Sequence, residues 1–214
     1  MTNIDYSLVY VTDDRIINDF EFFHVLEKSL QGGASLIQLR EKSLNTKSFY
    51  ERALKTKAIC DSYEIPLIIN DRLDIALATD AAGLHIGQKD LPIKVARKLL
   101  GGNKIIGLSI SNKHQAIESN SLEVDYIGLS PVFNTNTKTK DLDRPLGLEG
   151  IKTISQLSNK PIVSIGGIDK TNAANIMQCG SNGIAVVSAI SKAVNPKLAT
   201  EQLKNIVCQI GTKQ

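Results

Sequence analysis

Ile69-Asn70-Asp71-Arg72, answered further on by Gly87-Gln88-Lys89-Asp90, is the stretch whose reading decides the fold. Pro66 to Ile69 is a compact apolar run, as a buried strand requires, and it stops abruptly at Asn70, Asp71 and Arg72. A helical pattern follows (Leu73, Ala76, Leu77), closed by Ala82-Gly83, and a second apolar run, Leu84 to Ile86, stops at Gly87-Gln88-Lys89-Asp90. Asp71 and Asp90 therefore stand just past the C-terminal ends of neighbouring strands. In a parallel βα array those ends share one face, so two hard oxygen ligands come together. That pairing suits Mg²⁺ carrying a phosphorylated substrate.

The pattern repeats in both directions. Leu8 to Thr12 reads as a first strand buried on both faces, and Leu36 to Arg40 as a second. Beyond the central pair, strands are expected at Ile105–Ser109, Tyr126–Leu129, Ile162–Ile165 and Ile184–Val187. Helical spacing lies between them at Phe20–Gln31, Phe49–Cys60, Ile93–Leu100, Lys113–Glu118, Leu148–Leu157 and Thr171–Cys179. A last helix is announced by Asn195 as N-cap and Pro196 at its first position, with Gly211 to Gln214 fraying after it. Eight strands alternating with helices predict an α/β chain folded as a single-domain (β/α)8 TIM barrel over 1–214. A doubly wound sheet would carry G-x-G-x-x-G after the first strand, where this chain has Asp13-Asp14-Arg15-Ile16.

Bulk composition narrows the function classes. The 214 residues are 42% hydrophobic and 22% charged, an ordinary globular balance. A formal net charge of +3, dispersed along the chain, argues against a nucleic-acid partner without repelling an anionic substrate. Cys60, Cys179 and Cys208 are too widely spaced for a zinc site or a disulfide framework. With no secretory pattern near Met1 and no run long enough to span a bilayer, the expectation is a soluble cytoplasmic protein without a membrane partner. The oligomeric state is left open, a homo-oligomer included.

Barrel chemistry gathers at the C-terminal strand ends. Gln38, Arg40 and Lys42 fall at alternate positions of the second strand and its continuation, so they share the face toward the mouth, with Leu39 on the other. Arg40 and Lys42 would supply donors to phosphate oxygens. Asp71 and Asp90 could each merely cap the helix that follows; beside Asn70, Gln88 and Lys89 a shared metal is the better account. His85 is expected to pack near its strand end, and Ser109 offers a hydroxyl. Gly166-Gly167 and Val187-Ser188 follow the seventh and eighth strands, where barrels hold phosphates on backbone N–H groups, though a tight turn would also use such glycines. The mouth thus offers two anion sites, one with metal and one without. The polar segment Asn134 to Arg144 is long and irregular, and it is expected to close over the site as a lid.

The set Gln38-Leu39-Arg40-Glu41-Lys42, Ile69-Asn70-Asp71-Arg72, His85-Ile86-Gly87-Gln88-Lys89-Asp90, Thr135-x-Thr137-Lys138, Pro145-Leu146-Gly147, Ile165-Gly166-Gly167-Ile168 and Val187-Ser188-Ala189-Ile190 resembles the thiamine-phosphate synthase family, in the family's order and over nearly the whole chain. The resemblance implies a transferase that joins hydroxymethylpyrimidine diphosphate to a thiazole phosphate, plain or carboxylated, giving thiamine phosphate and pyrophosphate. It implies that Gln38, Leu39, Arg40, Glu41, Lys42, Asn70, Ser109 and Lys138 bind the pyrimidine diphosphate, with Arg40, Lys42 and Lys138 neutralising the leaving group. Asp71 and Asp90 would hold Mg²⁺. Thr135, Asn136, Thr137, Gly167, Val187 and Ser188 would bind the thiazole phosphate. Two departures stand out: Asn136 where the family often has proline, and Ser111 where it commonly has histidine. The related thiazole tautomerase branch uses that histidine and typically lacks a counterpart of Asp90, so both differences favour the synthase. A barrel that only binds thiazole phosphate would be expected to have lost the metal and diphosphate residues.

Overall fold

The computed structural model describes residues 4–135, 137 and 143–211. Its strands are β1 (Leu8–Val11), β2 (Leu36–Leu39), β3 (Leu67–Asn70), β4 (Gly83–Ile86), β5 (Ile105–Ile110), β6 (Tyr126–Leu129), β7 (Ile162–Ile165) and β8 (Gly183–Val186). Between and after them run α1 (Asp19–Gln31), α2 (Thr46–Ser62), α3 (Leu73–Ala78), α4 (Ile93–Leu100), α5 (Lys113–Ser119), α6 (Gly147–Leu157), α7 (Ala173–Gln178), α8 (Ser188–Ser191) and α9 (Pro196–Gly211). Every strand pairs in parallel with its sequence neighbours, and β1 pairs with β8 to close the barrel. The expected (β/α)8 architecture is the one observed.

Strand alternation sorts the side chains into two layers. Leu8, Tyr10, Ile37, Leu39, Leu67, Ile69, Leu84 and Ile86 point outward into the core shared with the helices. Val9, Val11, Leu36, Ile68, Ile105, Tyr126, Val163 and Ala185 fill the barrel interior. Each large side chain taken fully out of water contributes about 2 kcal/mol, so a one-residue slip of any strand would be costly. The interior also needs room for rings. A Cβ on Gly107 would stand 2.2 Å from the Tyr126 ring and 2.4 Å from His85 Nδ1, and one on Gly128 would meet His85 Cε1 at 2.9 Å. Two glycines thus hollow the interior where His85 and Tyr126 sit.

Helix boundaries follow local chemistry. α2 starts three residues before the expected Phe49 because Asn45 Oδ1 accepts from Ser48 N at 3.0 Å. Asn195 caps α9 as expected, accepting from Leu198 N at 3.1 Å. α7 starts later than expected, since Asp169 and Asn172 bond the turn over residues 169–172. β8 ends one residue early because Val187, at φ −114° and ψ −80°, leaves the strand to open α8. The expected fraying tail beyond Gly211 lies outside the described residues. Among the described residues no helix is long and apolar enough to cross a membrane, and Cys60, Cys179 and Cys208 form no disulfide.

Candidate active site

A cavity opens at the C-terminal ends of the strands and encloses about 1110 Å³, counted out to its open mouth. On its β2 side, Gln38, Arg40 and Lys42 line the cavity together, as their alternation requires. Thr12 fixes the backbone beneath them: its Oγ1 accepts from Arg40 N at 2.9 Å and donates to Arg40 O at 3.1 Å. The Arg40 guanidinium is paired with Asp14 at 2.7 Å. The Lys42 ammonium is paired with Asp71. Each cation therefore already holds a carboxylate that an incoming anion would have to replace.

Asp71 sits in the left-handed region at φ +63°, an uncommon conformation for a non-glycine residue but one that Asp and Asn tolerate. Its N–H donates to His85 O at 2.8 Å, and the next N–H, of Arg72, reaches back to Asn70 O at 2.8 Å. This tight turn aims the Asp71 carboxylate at the mouth. Asp90 lies outside the cavity lining, at the rim, where its Oδ2 accepts from Gly87 N at 2.7 Å. Burial and the neighbouring Asp71 carboxylate raise the Asp90 pKa above the ordinary value, against the lowering influence of the Gly87 N–H and Lys42. Neither aspartate caps a helix: the residues flanking α3 and α4 are Arg72 and Pro92.

Among the described residues no cluster of three or more His, Cys, Asp or Glu could hold a metal alone. Two adjacent carboxylates with a shared charge burden fit Mg²⁺, a hard cation that keeps waters and takes further oxygens from a phosphorylated ligand.

The cavity floor is polar. His85 Nδ1 lies 2.8 Å from the Tyr126 hydroxyl, and His85 Nε2 lies 2.8 Å from Ser109 Oγ. Tyr126 is fully enclosed, and burial pushes its phenol pKa far up, so the hydroxyl keeps its proton. Gln38 and Asn70 complete this floor. His85 does sit at its strand end, but it faces the ligand space rather than merely packing. Tyr126, Gly128 and Ser130 also line the cavity and were not anticipated. Alternation was the available signal, since His85, Tyr126 and Gly128 occupy inward positions in register.

The opposite wall differs. Gly166 and Gly167, at φ +110° and +65°, make a turn that only glycine enters freely. Phe133 N donates to Gly166 O at 3.0 Å, and Asn172 Nδ2 donates to Gly167 O at 2.9 Å, pinning the turn on both sides. Gly167, Val187, Ser188, Thr135 and Thr137 line this wall.

Two residues of the expected binding set stand apart from the cavity. Leu39 is buried among the outer core residues, and Glu41 is buried behind the mouth, its carboxylate taken up by Arg52 and by loop N–H groups. Neither side chain lines the cavity. Asn136 and Lys138 lie outside the described residues, and so does most of the expected lid.

A family model described as thiamine monophosphate synthase matches residues 8–190. The chain belongs to this family. It is 45% identical to a thiamine-phosphate synthase of Clostridium novyi, over 95% of this chain and the whole of that one. It is 46% identical to one of Methanobrevibacter smithii, over 95% and 96%. The solved thiamine phosphate pyrophosphorylase of Pyrococcus furiosus superposes with a TM-score of 0.87 at 35% identity, covering 97% of this chain and 98% of that one. An orotidine 5'-phosphate decarboxylase of Pyrococcus horikoshii, 14% identical with a TM-score of 0.70, shares the barrel fold alone. Ser111, expected as a departure from the resemblance's histidine, lies among the described residues. Its N–H and Oγ both donate to Gln115 Oε1, at 2.8 and 3.2 Å. That hydroxyl serves the start of α5, and no imidazole stands there to carry protons.

Proposed function

We infer that the chain acts as its family is named: it is a thiamine-phosphate synthase, a transferase of thiamine biosynthesis. In our reading it joins hydroxymethylpyrimidine diphosphate to thiazole phosphate, plain or carboxylated. The observation that carries this reading is the division of the mouth. One wall bears Arg40, Lys42 and Asp71, the other bears Gly167, Val187 and Ser188, and a polar floor lies between. A diphosphate fits the first wall, a monophosphate the second, and an aminopyrimidine the floor.

The chemistry follows from these placements. The carbon–oxygen bond between the pyrimidine methylene and the diphosphate breaks, and its electron pair leaves with the oxygen. The amino-substituted ring stabilises the resulting cation. Arg40 and Lys42 exchange Asp14 and Asp71 for diphosphate oxygens, so they neutralise charge as it develops. Asp71 and Asp90 would hold Mg²⁺, which when bound supplies further neutralisation of the diphosphate. Ser109, His85 and Gln38 offer donors and acceptors that orient the ring. The thiazole nitrogen, anchored through its phosphate at Gly167 and Ser188, donates its lone pair to the methylene and closes the new carbon–nitrogen bond. Lys138 would add charge to the diphosphate side.

Mixing both substrates with Mg²⁺ and following pyrophosphate tests the proposal. We expect one pyrophosphate per thiamine phosphate formed, and no release when the thiazole is omitted beyond slow hydrolysis. A chain that consumes neither substrate would sink this reading.

A further inference from the structure

Arg52 lies on α2, outside the cavity, and only 5% of it is exposed. Its guanidinium reaches three partners. Nη1 donates to Glu41 Oε2 at 2.9 Å, and Nη2 donates to Asp19 Oδ1 at 2.5 Å and to Ile17 O at 3.1 Å. The Phe22 ring lies 4.5 Å beneath it. Glu41, 6% exposed, uses its other oxygen on the loop backbone. Oε1 accepts from Lys42 N and Ser43 N at 2.9 Å each, from Leu44 N at 3.3 Å, and from Ser43 Oγ at 2.9 Å.

These contacts tie two loops together from behind. Ile17 lies in the β1–α1 connection, which carries Asp14, and Asp19 opens α1 directly after it; Glu41 lies in the β2–α2 connection, which carries Lys42. At the cavity face the same two connections are joined again by Asp14 and Arg40. Replacing a buried ion pair by apolar residues of similar volume is often neutral for stability, so such a pair is better explained by the geometry it enforces. The arginine fork is suited to this, because it fixes the angle between its partners, whereas an ammonium does not.

We propose that Arg52, acting through Glu41, is a positioning residue that sets the backbone carrying Lys42 and the spacing of Arg40 and Lys42 for the diphosphate. The inference rests on the reading of the β2 wall as the diphosphate wall. Glu41 then contributes to that site without touching the substrate.

Four variants test it: Glu41→Gln, Arg52→Met, Arg52→Lys and the double Glu41→Gln/Arg52→Met. Affinity for inorganic pyrophosphate with Mg²⁺ is measured by calorimetry, KM for each substrate by turnover, and amide exchange at Lys42, Ser43 and Leu44 by mass spectrometry. Glu41→Gln and Arg52→Met should each lose about tenfold in pyrophosphate affinity and raise the pyrimidine diphosphate KM similarly, as supporting partners of a binding group do. The thiazole phosphate KM should stay within about twofold, and the three amides should exchange faster. The double variant should be no worse than the poorer single, because both act through one path. Arg52→Lys should recover part of the affinity. If Arg52→Met does not fold, Glu41→Gln reads the same effect, since it keeps an acceptor for the loop N–H groups. Unchanged pyrophosphate affinity, equal loss on both substrates, or unchanged amide exchange would each overturn the proposal. A wild-type chain that makes no thiamine phosphate would instead sink the function, while the amide exchange would still decide the clamp.

Discussion

The two walls of the cavity solve anion binding in opposite ways. The β2–β4 wall relies on charge already in balance: Arg40 with Asp14, Lys42 with Asp71, and Asp90 against Asp71. The β7–β8 wall relies on backbone, with two glycines at positive φ and the small polar Ser188. A wall of paired charges can be reset by a ligand that brings charge and metal, and it suits a group that must depart. A wall of glycine turns is rigid and suits a group that must stay.

Removing a carboxylate should test that contrast most severely. Asp71→Asn keeps a residue that tolerates φ +63°, so the turn should survive, yet the wall loses a ligand charge. We expect turnover to fall on the order of 100-fold, the scale seen when one electrostatic group is removed from a charged transition state. Asp90→Asn should fall similarly. Near-normal turnover at saturating Mg²⁺ in either variant would remove that residue from the metal site.

Gly167→Ala attacks the other wall. The new methyl would stand 2.5 Å from Asn134 O and 2.8 Å from Phe133 Cβ, at φ +65°. The strain should cost about 1–3 kcal/mol of stability, and the distorted turn should weaken thiazole phosphate binding about tenfold, 1.4 kcal/mol. Pyrophosphate binding should hold. Titrations showing the reverse order would mean that the two anion sites are assigned backwards.

Ionic strength offers a gentler comparison. Raising it from about 0.01 to 0.15 M shortens screening from about 30 to 8 Å. Pyrophosphate affinity should therefore drop several-fold more than thiazole phosphate affinity. Equal slopes would contradict a wall that acts mainly through backbone.

The smallest effect belongs to Asp13, behind both walls, which joins Arg15 at 2.6 Å to Ser191 of α8 at 2.7 Å. Burial alone would raise its pKa, but the hydrogen bonds from Arg15 and Ser191 outweigh it and leave the carboxyl below the usual value. Its stabilising contribution is thus present above the unfolded pKa and is lost as pH falls through the folded value. Melting curves should show wild type losing stability more steeply than Asp13→Asn on acidification below about pH 4. Parallel acid slopes would mean that Asp13 contributes nothing through its charge.

Much of this was legible in the sequence because strand periodicity and polar stops are local signals. All eight strands were expected, and Gln38, Arg40, Lys42, Asn70, Asp71, Ser109, Gly167, Val187 and Ser188 do meet around one cavity. What was less legible depends on partners elsewhere in the chain. Alternation already sets Leu39 and Glu41 on the side away from Gln38, Arg40 and Lys42, but what Glu41 does is read only from its contact with Arg52. The inward role of Tyr126 depends on Gly107, one strand over. α8 has four residues, too few to show a period.

Among the described residues Asp71 shares its positive φ with Glu64 and Asp80, which lie in turns away from the mouth. A library selected only for heat resistance should favour glycine at all three, since glycine relieves a left-handed residue by about 1 kcal/mol. At Glu64 and Asp80 that exchange would leave catalysis alone. At Asp71 it would yield a sturdier barrel with a silent mouth, so selection for durability and selection for turnover part company at this one turn.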